Sequence, residues 1–505
     1  MNQHSTSRST VIVGGGSAGA VLAARLSEVP DHQVTLLEAG PSYPPDAYPA
    51  SLTDSSVLGA YTGSDWGYQT EAGVIGHPIA AFRGKVLGGS SAVNGSVMVR
   101  ALPSDFARWA DAGLTGWSFE EVLPFYRRLE STNAGADAWH GRAGPMPVHQ
   151  LTLDEVSTVQ HAFVAAALAL GIPATTDFNG PDPEGAGPYP MNTVDGVRVN
   201  TAMAYLSAEV RARPNLRIRS DTLVDKVVFD STTATGVALD TGEVITADEV
   251  ILSAGTYGTA VILLRSGVGP TEDLAALDIP TVADLPVGRR IFDHPFFYTA
   301  FAAEPETLGR TTPVIGAKVW IASSHAGPGE LDLHLTATHL IDPSISPTGA
   351  AFVIAVALVR PTSAGTLTLV DTDPVTAPRI DLNFLADDGD RARLLDGIRL
   401  AQRLGGTEPL ASLINTELSP GTDADDAATI ATAFATLDTY HHPTSSAPMG
   451  PLGSPHAVVD NAGAVHGVNG LRVVDASILP DVVQAATNAT VLMAAEKIAA
   501  HLTSR

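Results

Sequence analysis

The first forty residues constrain this chain more than any other stretch. Val11-Ile12-Val13 is a short β-branched run of the kind that forms a buried parallel strand. It leads directly into Gly14-Gly15-Gly16-Ser17-Ala18-Gly19, which sets Gly14, Gly16 and Gly19 in a G-x-G-x-x-G register. Ala18, Val21, Leu22 and Leu26 follow at helical spacing, and Val34-Thr35-Leu36-Leu37 reads as a second strand that ends at Glu38. Strand, glycines, helix, strand and terminal acid in that order predict a βαβ unit that binds a dinucleotide. Gly14 permits the tight turn, Gly16 lets backbone approach a pyrophosphate, and Gly19 lets helix and strand pack closely. The helix N-terminus at Ser17 and Ala18 offers unpaired N–H groups and a positive dipole end to the phosphates. A carboxylate at Glu38 accepts hydrogen bonds from a ribose diol, which favours FAD or NAD over NADP.

The remainder of the chain narrows the class. At roughly 150 residues per domain, 505 residues predict two or three folding units. Asp and Glu number 54 against 29 Lys and Arg, a formal net charge of −25. That excess disfavours nucleic acid or an anionic membrane as the main partner, while leaving room for a local phosphate site. The absence of cysteine removes disulfide frameworks, thiolate metal sites, Fe–S clusters and cysteine nucleophiles. The longest apolar runs, 162–170 and 350–359, fall short of the about 20 residues of a spanning helix. Residues 1–10 are polar and lack the apolar core of a signal peptide. The expectation is a soluble cytoplasmic protein with no membrane span.

Four further blocks are specific. Leu87-Gly88-Gly89-Ser90-Ser91 is a small-residue run whose N–H groups suit an anion. It lies inside Arg83-Gly84-Lys85-Val86-Leu87-Gly88-Gly89-Ser90-Ser91-Ala92-Val93-Asn94-Gly95, which resembles the first signature of the glucose–methanol–choline (GMC) oxidoreductases. The segment from Gly255-Thr256-Tyr257-Gly258 to Ser266-Gly267-Val268-Gly269 resembles the second, with Ala260 where relatives usually carry Pro or Ser. His442-Pro443-Thr444-Ser445-Ser446-Ala447-Pro448-Met449-Gly450 and Leu471-Arg472-Val473-Val474-Asp475-Ala476 resemble the family's C-terminal blocks, and Glu38-Ala39-Gly40 before a Pro-rich stretch is flavoprotein-like.

The resemblance implies an α/β protein, α+β overall. It would have a Rossmann-like FAD-binding domain (1–155, 195–295 and 437–505) and a discontinuous substrate domain (156–194 and 296–436) on an antiparallel sheet with helices. The alternating apolar residues Leu331, Leu333 and Leu335, then 353–359, then Leu367 and Leu369 suit such a sheet, and 390–404 has helical spacing. The Gly- and Pro-rich stretch 178–190 reads as a loop over the site. The resemblance further implies that Ala39, Arg83, Leu87, Gly88, Ser91, Asn94, Gly95, Val224, Ala254, Gly255, Asp475, Ala476, Thr487 and Asn488 contact FAD, beside the residues of the glycine turn. Some relatives tether FAD through a His just before the Asn of the first signature. Val93 stands there, so FAD is expected to be held non-covalently.

Relatives mostly oxidise alcohols, with an active-site base taking the hydroxyl proton while the carbon gives hydride to flavin N5. His442 occupies the base position, and an imidazole titrating near 6.5 suits that work. His441 is a competing candidate, and the His-Pro register favours His442. The other histidines, including that of Asp293-His294-Pro295, read as structural or loop residues, and no metal-ligand spacing is present. At the second active-site position, where relatives carry His or Asn, alignment on Ala495-Glu496-Lys497 places Ala486. Either the side chain has been removed in a variant, or a natural subgroup works with His442 and another donor, or Asn488 swings in. The expected partners are a small-molecule alcohol and an electron acceptor, oxygen or a carrier. The alternatives are a hydroxynitrile-lyase-like flavoprotein without redox turnover, a mycofactocin-linked dehydrogenase suggested by Ala447-Pro448-Met449-Gly450, and a flavin binder without catalysis.

Overall fold

The computed structural model describes residues 8–504; residues 1–7, on which the reading of the polar start partly rests, and Arg505 lie outside the described residues. Among the described residues the chain builds two larger sheets. The first is parallel, in the order Leu216–Arg219, His32–Leu37, Arg8–Val13, Glu249–Leu252, Leu471–Val473. Val11 pairs with Thr35 on one side and Val250 on the other, which explains why the run at 11–13 is apolar without alternation. Helix Ser17–Leu26 leaves the central strand through Gly16 and packs on the terminal helix Thr487–Thr503. Fully buried Glu496 locks that pairing by accepting from Arg25 Nη2 and Tyr205 Oη, both at 2.8 Å. Removing one partner of such a buried pair costs about 3–5 kcal/mol. The pairing also fixes where residues 486–488 enter the helix.

The second sheet is antiparallel. Its order is Thr416–Ser419, Pro295–Ala302, Ala351–Leu358, Leu333–Thr338, Ala317–Ile321, Gly185–Pro188, with Asp438–Thr439 added beside Pro295–Ala302. Helix Asp388–Gly405, capped by the Asp387 carboxylate on the N–H groups of Gly389 and Asp390, lays Leu394, Ile398, Ala401 and Leu404 on one face of the sheet. Helix Thr158–Ala169, opened by the Ser157–Gln160 capping box, packs against the far strands.

Two expectations are corrected here. The stretch 178–190 is not all loop: Gly185–Pro188 is a buried edge strand paired antiparallel with Ala317–Ile321, Pro188 opposite Ala317 and Gly185 opposite Trp320. An edge position needs one ladder only, so Pro188 is tolerated. Leu331 and Leu369 lie outside strands, and Leu367 sits in a separate ribbon, Thr366–Thr368 with Arg379–Asp381. His294, read as structural or loop, lies just before strand Pro295–Ala302 and is fully buried. No helix among the described residues is long and apolar enough to cross a membrane.

Candidate active site

One cavity of about 1100 Å³ runs from the glycine turn to the antiparallel sheet. That is room for a dinucleotide and a small substrate together, since ligand pockets usually hold ~300–1000 Å³. At one end Gly14, Gly16, Ser17 and Ala18 line it. Gly19 does not; it serves packing, because a Cβ there would fall 1.9 Å from the Gly14 carbonyl oxygen. Glu38 and Ala39 line the cavity beside the turn. The Glu38 carboxylate accepts from the N–H groups of Gly15 and Gly40, both at 2.8 Å, and burial pushes it up to about 7 against those two bonds. Val224, at the head of strand Val224–Asp230, lines the adjoining wall with Tyr257 and Arg265.

The first-signature run divides. Arg83, Asn94 and Gly95 line the cavity, together with Gly89, Ser90 and Val93. Leu87, Gly88 and Ser91, expected at the cofactor, do not line it. They brace the turn from behind: Gly88 N–H donates to Gly15 O (2.8 Å), Leu87 O accepts from Tyr48 Oη (2.8 Å), and Ser91 Oγ donates to Gly88 O and accepts from Thr201 N–H. The result brings two glycine turns face to face. A Cβ on Gly89, whose φ is +52°, would lie 2.7 Å from Gly16 Cα. Bare backbone on both sides, an uncapped helix start at Gly16, and the buried Glu38 carboxylate form a cradle that fits FAD. Val93 offers that cofactor no nucleophilic atom for a covalent tether.

Ala254, Gly255, Asp475 and Ala476 also line the cavity. Asp475 acts as an organiser. Its Oδ2 accepts from Gly255 N–H (2.9 Å) and Thr259 Oγ1 (2.6 Å), and its Oδ1 from Ser477 N–H (2.8 Å). One carboxylate thus joins the start of helix Gly255–Arg265 to the turn after the last parallel strand.

One corner of the cavity holds His442, His441, Ala486, Thr487 and Asn488, all on its wall. His442 is partly exposed, toward the cavity, and its Nδ1 lies 3.0 Å from Nδ1 of His294. Burial, with the neighbouring His294 and Arg83, holds its imidazole well below the usual histidine range. Asp293 Oδ1 accepts from the backbone N–H groups of both His294 (2.7 Å) and His442 (2.8 Å), and Oδ2 from Thr439 Oγ1 (2.7 Å). Burial pushes the Asp293 carboxyl up to about 6, opposed chiefly by Arg83. His441 takes a left-handed φ of 63°, its carbonyl accepts from Arg83 Nη2 (2.7 Å), and its Nδ1 is without a partner.

Ala486 is the N-cap of the terminal helix and gives the corner a methyl group only. Asn488 is already engaged: its Oδ1 accepts from Ser17 Oγ (2.7 Å), and its Nδ2 sits 3.6 Å from Met98 Sδ. Opposite stand Phe296, Tyr298 and Thr336 from the antiparallel sheet and Tyr440 just after strand Asp438–Thr439, with Tyr440 stacked on Phe296 at 4.4 Å. Neither these walls nor a role for His294 was visible in the sequence. The strand pairing of Phe296 with Asp438 supplies the missing signal, because it sets residues from two distant segments on one face.

Comparison with known proteins agrees with this geometry. Two models of the GMC oxidoreductase family match, over residues 9–296 and 361–495. Mitochondrial choline dehydrogenase of Mus musculus is 36% identical, the match covering 97% of this chain and 88% of that protein. A 5-(hydroxymethyl)furfural oxidase of Methylovorus sp. (strain MP688) is 35% identical over 97% of both. The crystal structure of pyridoxine 4-oxidase from Mesorbium loti superimposes with a TM-score of 0.91 at 31% identity, covering 99% of each chain. The chain therefore belongs to the GMC oxidoreductase family, whose cofactor is FAD.

Proposed function

We propose that this protein oxidises a primary alcohol to the carbonyl compound, with His442 as the base and FAD as the electron acceptor. The observation that carries the reading is the position of His442. Its imidazole faces the same cavity as the FAD cradle, with one ring nitrogen turned away to His294 and the other left to the cavity. When bound, FAD supplies the acceptor for the hydride that leaves the carbinol carbon. Gly16, Ser17 and Ala18 would hold its pyrophosphate, Glu38 its ribose, and Val224 the adenine side. Gly89, Ser90 and Asn94 would meet the flavin end.

The residues of the chain then do three things. Phe296, Tyr298 and Tyr440 give the alcohol an apolar, aromatic wall, which excludes water and orients the carbinol carbon. The neutral imidazole of His442 takes the hydroxyl proton as the C–H electron pair departs, so that the oxygen closes to C=O. Ala486 offers no hydrogen bond to the developing alkoxide. Such a contact, where it acts in the transition state, is worth ~10²–10³ in rate. Choline, 5-(hydroxymethyl)furfural and pyridoxine, after which the relatives are named, are all primary alcohols, and this supports that substrate class.

The test is an anaerobic screen of the FAD-loaded protein against choline, 5-(hydroxymethyl)furfural, pyridoxine and benzyl alcohol. Bleaching of the oxidised flavin band with aldehyde formation is expected for at least one of them. Cleavage of a hydroxynitrile without bleaching would replace the reading with lyase chemistry. A protein that stays colourless after incubation with FAD would end it.

A further inference from the structure

Two histidines in contact through like nitrogens pose a question of protons. His294 Nδ1 and His442 Nδ1 lie 3.0 Å apart, so one must donate and the other accept. The other ring nitrogen of His294 decides which. Its Nε2 lies 3.1 Å from the Val483 carbonyl oxygen, an acceptor that can only be met by N–H. His294 is fully buried, with no carboxylate on its ring, and burial holds it down to about 3 against the backbone carbonyls of Val483 and Val359, so it carries one proton and not two. That proton is on Nε2. Its Nδ1 is therefore a bare acceptor, and His442 must donate through Nδ1–H. The neutral His442 ring is left with an unprotonated Nε2, the nitrogen that remains for the cavity.

We propose that His294 is a positioning residue that fixes the tautomer of His442, so that the lone pair of Nε2 always faces the alcohol. The inference rests on the function proposed above. It gives the buried Val483 carbonyl and His294 a task in the reaction: they form a relay that reads out as one bare nitrogen. The backbone clamp of Asp293 on both histidines keeps the two rings in register. No other hydrogen bond to His442 Nδ1 exists among the described residues, and the groups that surround the ring, namely His441, Arg83, His334 and Tyr440, leave that position to His294. Unlike a carboxylate, a neutral imidazole behind the base orients it without adding a negative charge. With Ala486 opposite, orientation from behind matters more, because no side chain at that position steers the alcohol oxygen.

The test is nitrogen NMR of the FAD-bound, oxidised protein labelled in its histidine rings, with His442 assigned from its loss in His442→Gln. The wild type is expected to show His442 with a protonated Nδ1 and an unprotonated Nε2. His294→Leu removes the acceptor and is expected to abolish the preference, slowing flavin reduction at saturating alcohol by ~10–10²-fold, the usual size of an orienting contact, with KM little changed. His294→Asn places an amide oxygen near the old Nδ1 and is expected to restore both the tautomer and most of the rate. Protonated Nε2 on His442 in the wild type overturns the proposal without any variant. So does a His294→Leu protein that binds FAD and matches His294→Asn in both readouts. A wild type with the predicted tautomer whose flavin no alcohol reduces would instead sink the oxidoreductase reading and leave the tautomer assignment standing.

Discussion

The dinucleotide cradle is drawn mostly from backbone: two glycine turns in contact, an uncapped helix start, and one carboxylate that is itself held by two N–H groups. The corner around His442 is drawn from side chains, brought in from 293–298, 438–442 and 483–488 and joined by hydrogen bonds between residues up to 189 positions apart. The difference teaches where each half is vulnerable. The cradle fails when a Cβ is added, since there is no space for one. The corner fails when a single polar atom is taken away, since nothing nearby can replace it.

Predictions that break or sharpen this contrast run from large to small. His442→Ala should lower the anaerobic flavin-reduction rate by ~10²–10⁴ while FAD content stays at the wild-type level, read by stopped-flow absorbance and by the flavin released on denaturation. Gly19→Ala should do the reverse. Its Cβ would press on Gly14 backbone, so the protein should purify depleted of FAD. Ala486→Asn should raise the reduction rate by ~10–10² on an accepted alcohol, because it restores a donor to the alkoxide. No gain on any accepted alcohol would remove position 486 from the catalytic corner.

Two smaller effects concern pH. Glu38 sits at about 7 in the protein without ligand, and a ribose diol donates to its ionised form. FAD affinity should therefore weaken as pH falls through about 7. Glu38→Gln should bind FAD ~10-fold less tightly above that pH and lose the dependence, measured by quenching of flavin fluorescence. His442 must be neutral to act, and its imidazole is held well below the usual range. The reduction rate should stay level as pH drops through 6.5, where an ordinary histidine would be about half protonated. A half-loss near 6.5 would show that the environment of His442 is wetter than this.

The cradle was legible because a backbone device needs glycines at fixed spacing, and these stand together in the first forty residues. His442 and the silent position 486 were legible through the family's blocks. His294 was not, since its partner is 148 residues away and Asp-His-Pro carries no local periodicity. The strand Gly185–Pro188 was hidden by its own composition. Glycine and proline usually break strands, yet here Gly187 lets Thr175 approach so closely that a Cβ would lie 1.9 Å from its carbonyl oxygen. Leu87, Gly88 and Ser91 stand one layer behind the cavity wall. A motif fixes which residues build a turn, but only the folded chain decides which side of it faces the ligand.

The most direct measurement is single-turnover bleaching of the FAD-loaded protein with the best alcohol from the screen, ordinary and deuterated at the carbinol carbon, without oxygen. The account predicts that deuteration slows bleaching and that one aldehyde forms per flavin bleached. Aldehyde or ketone released while the flavin stays oxidised, or bleaching indifferent to His442→Ala, would contradict it.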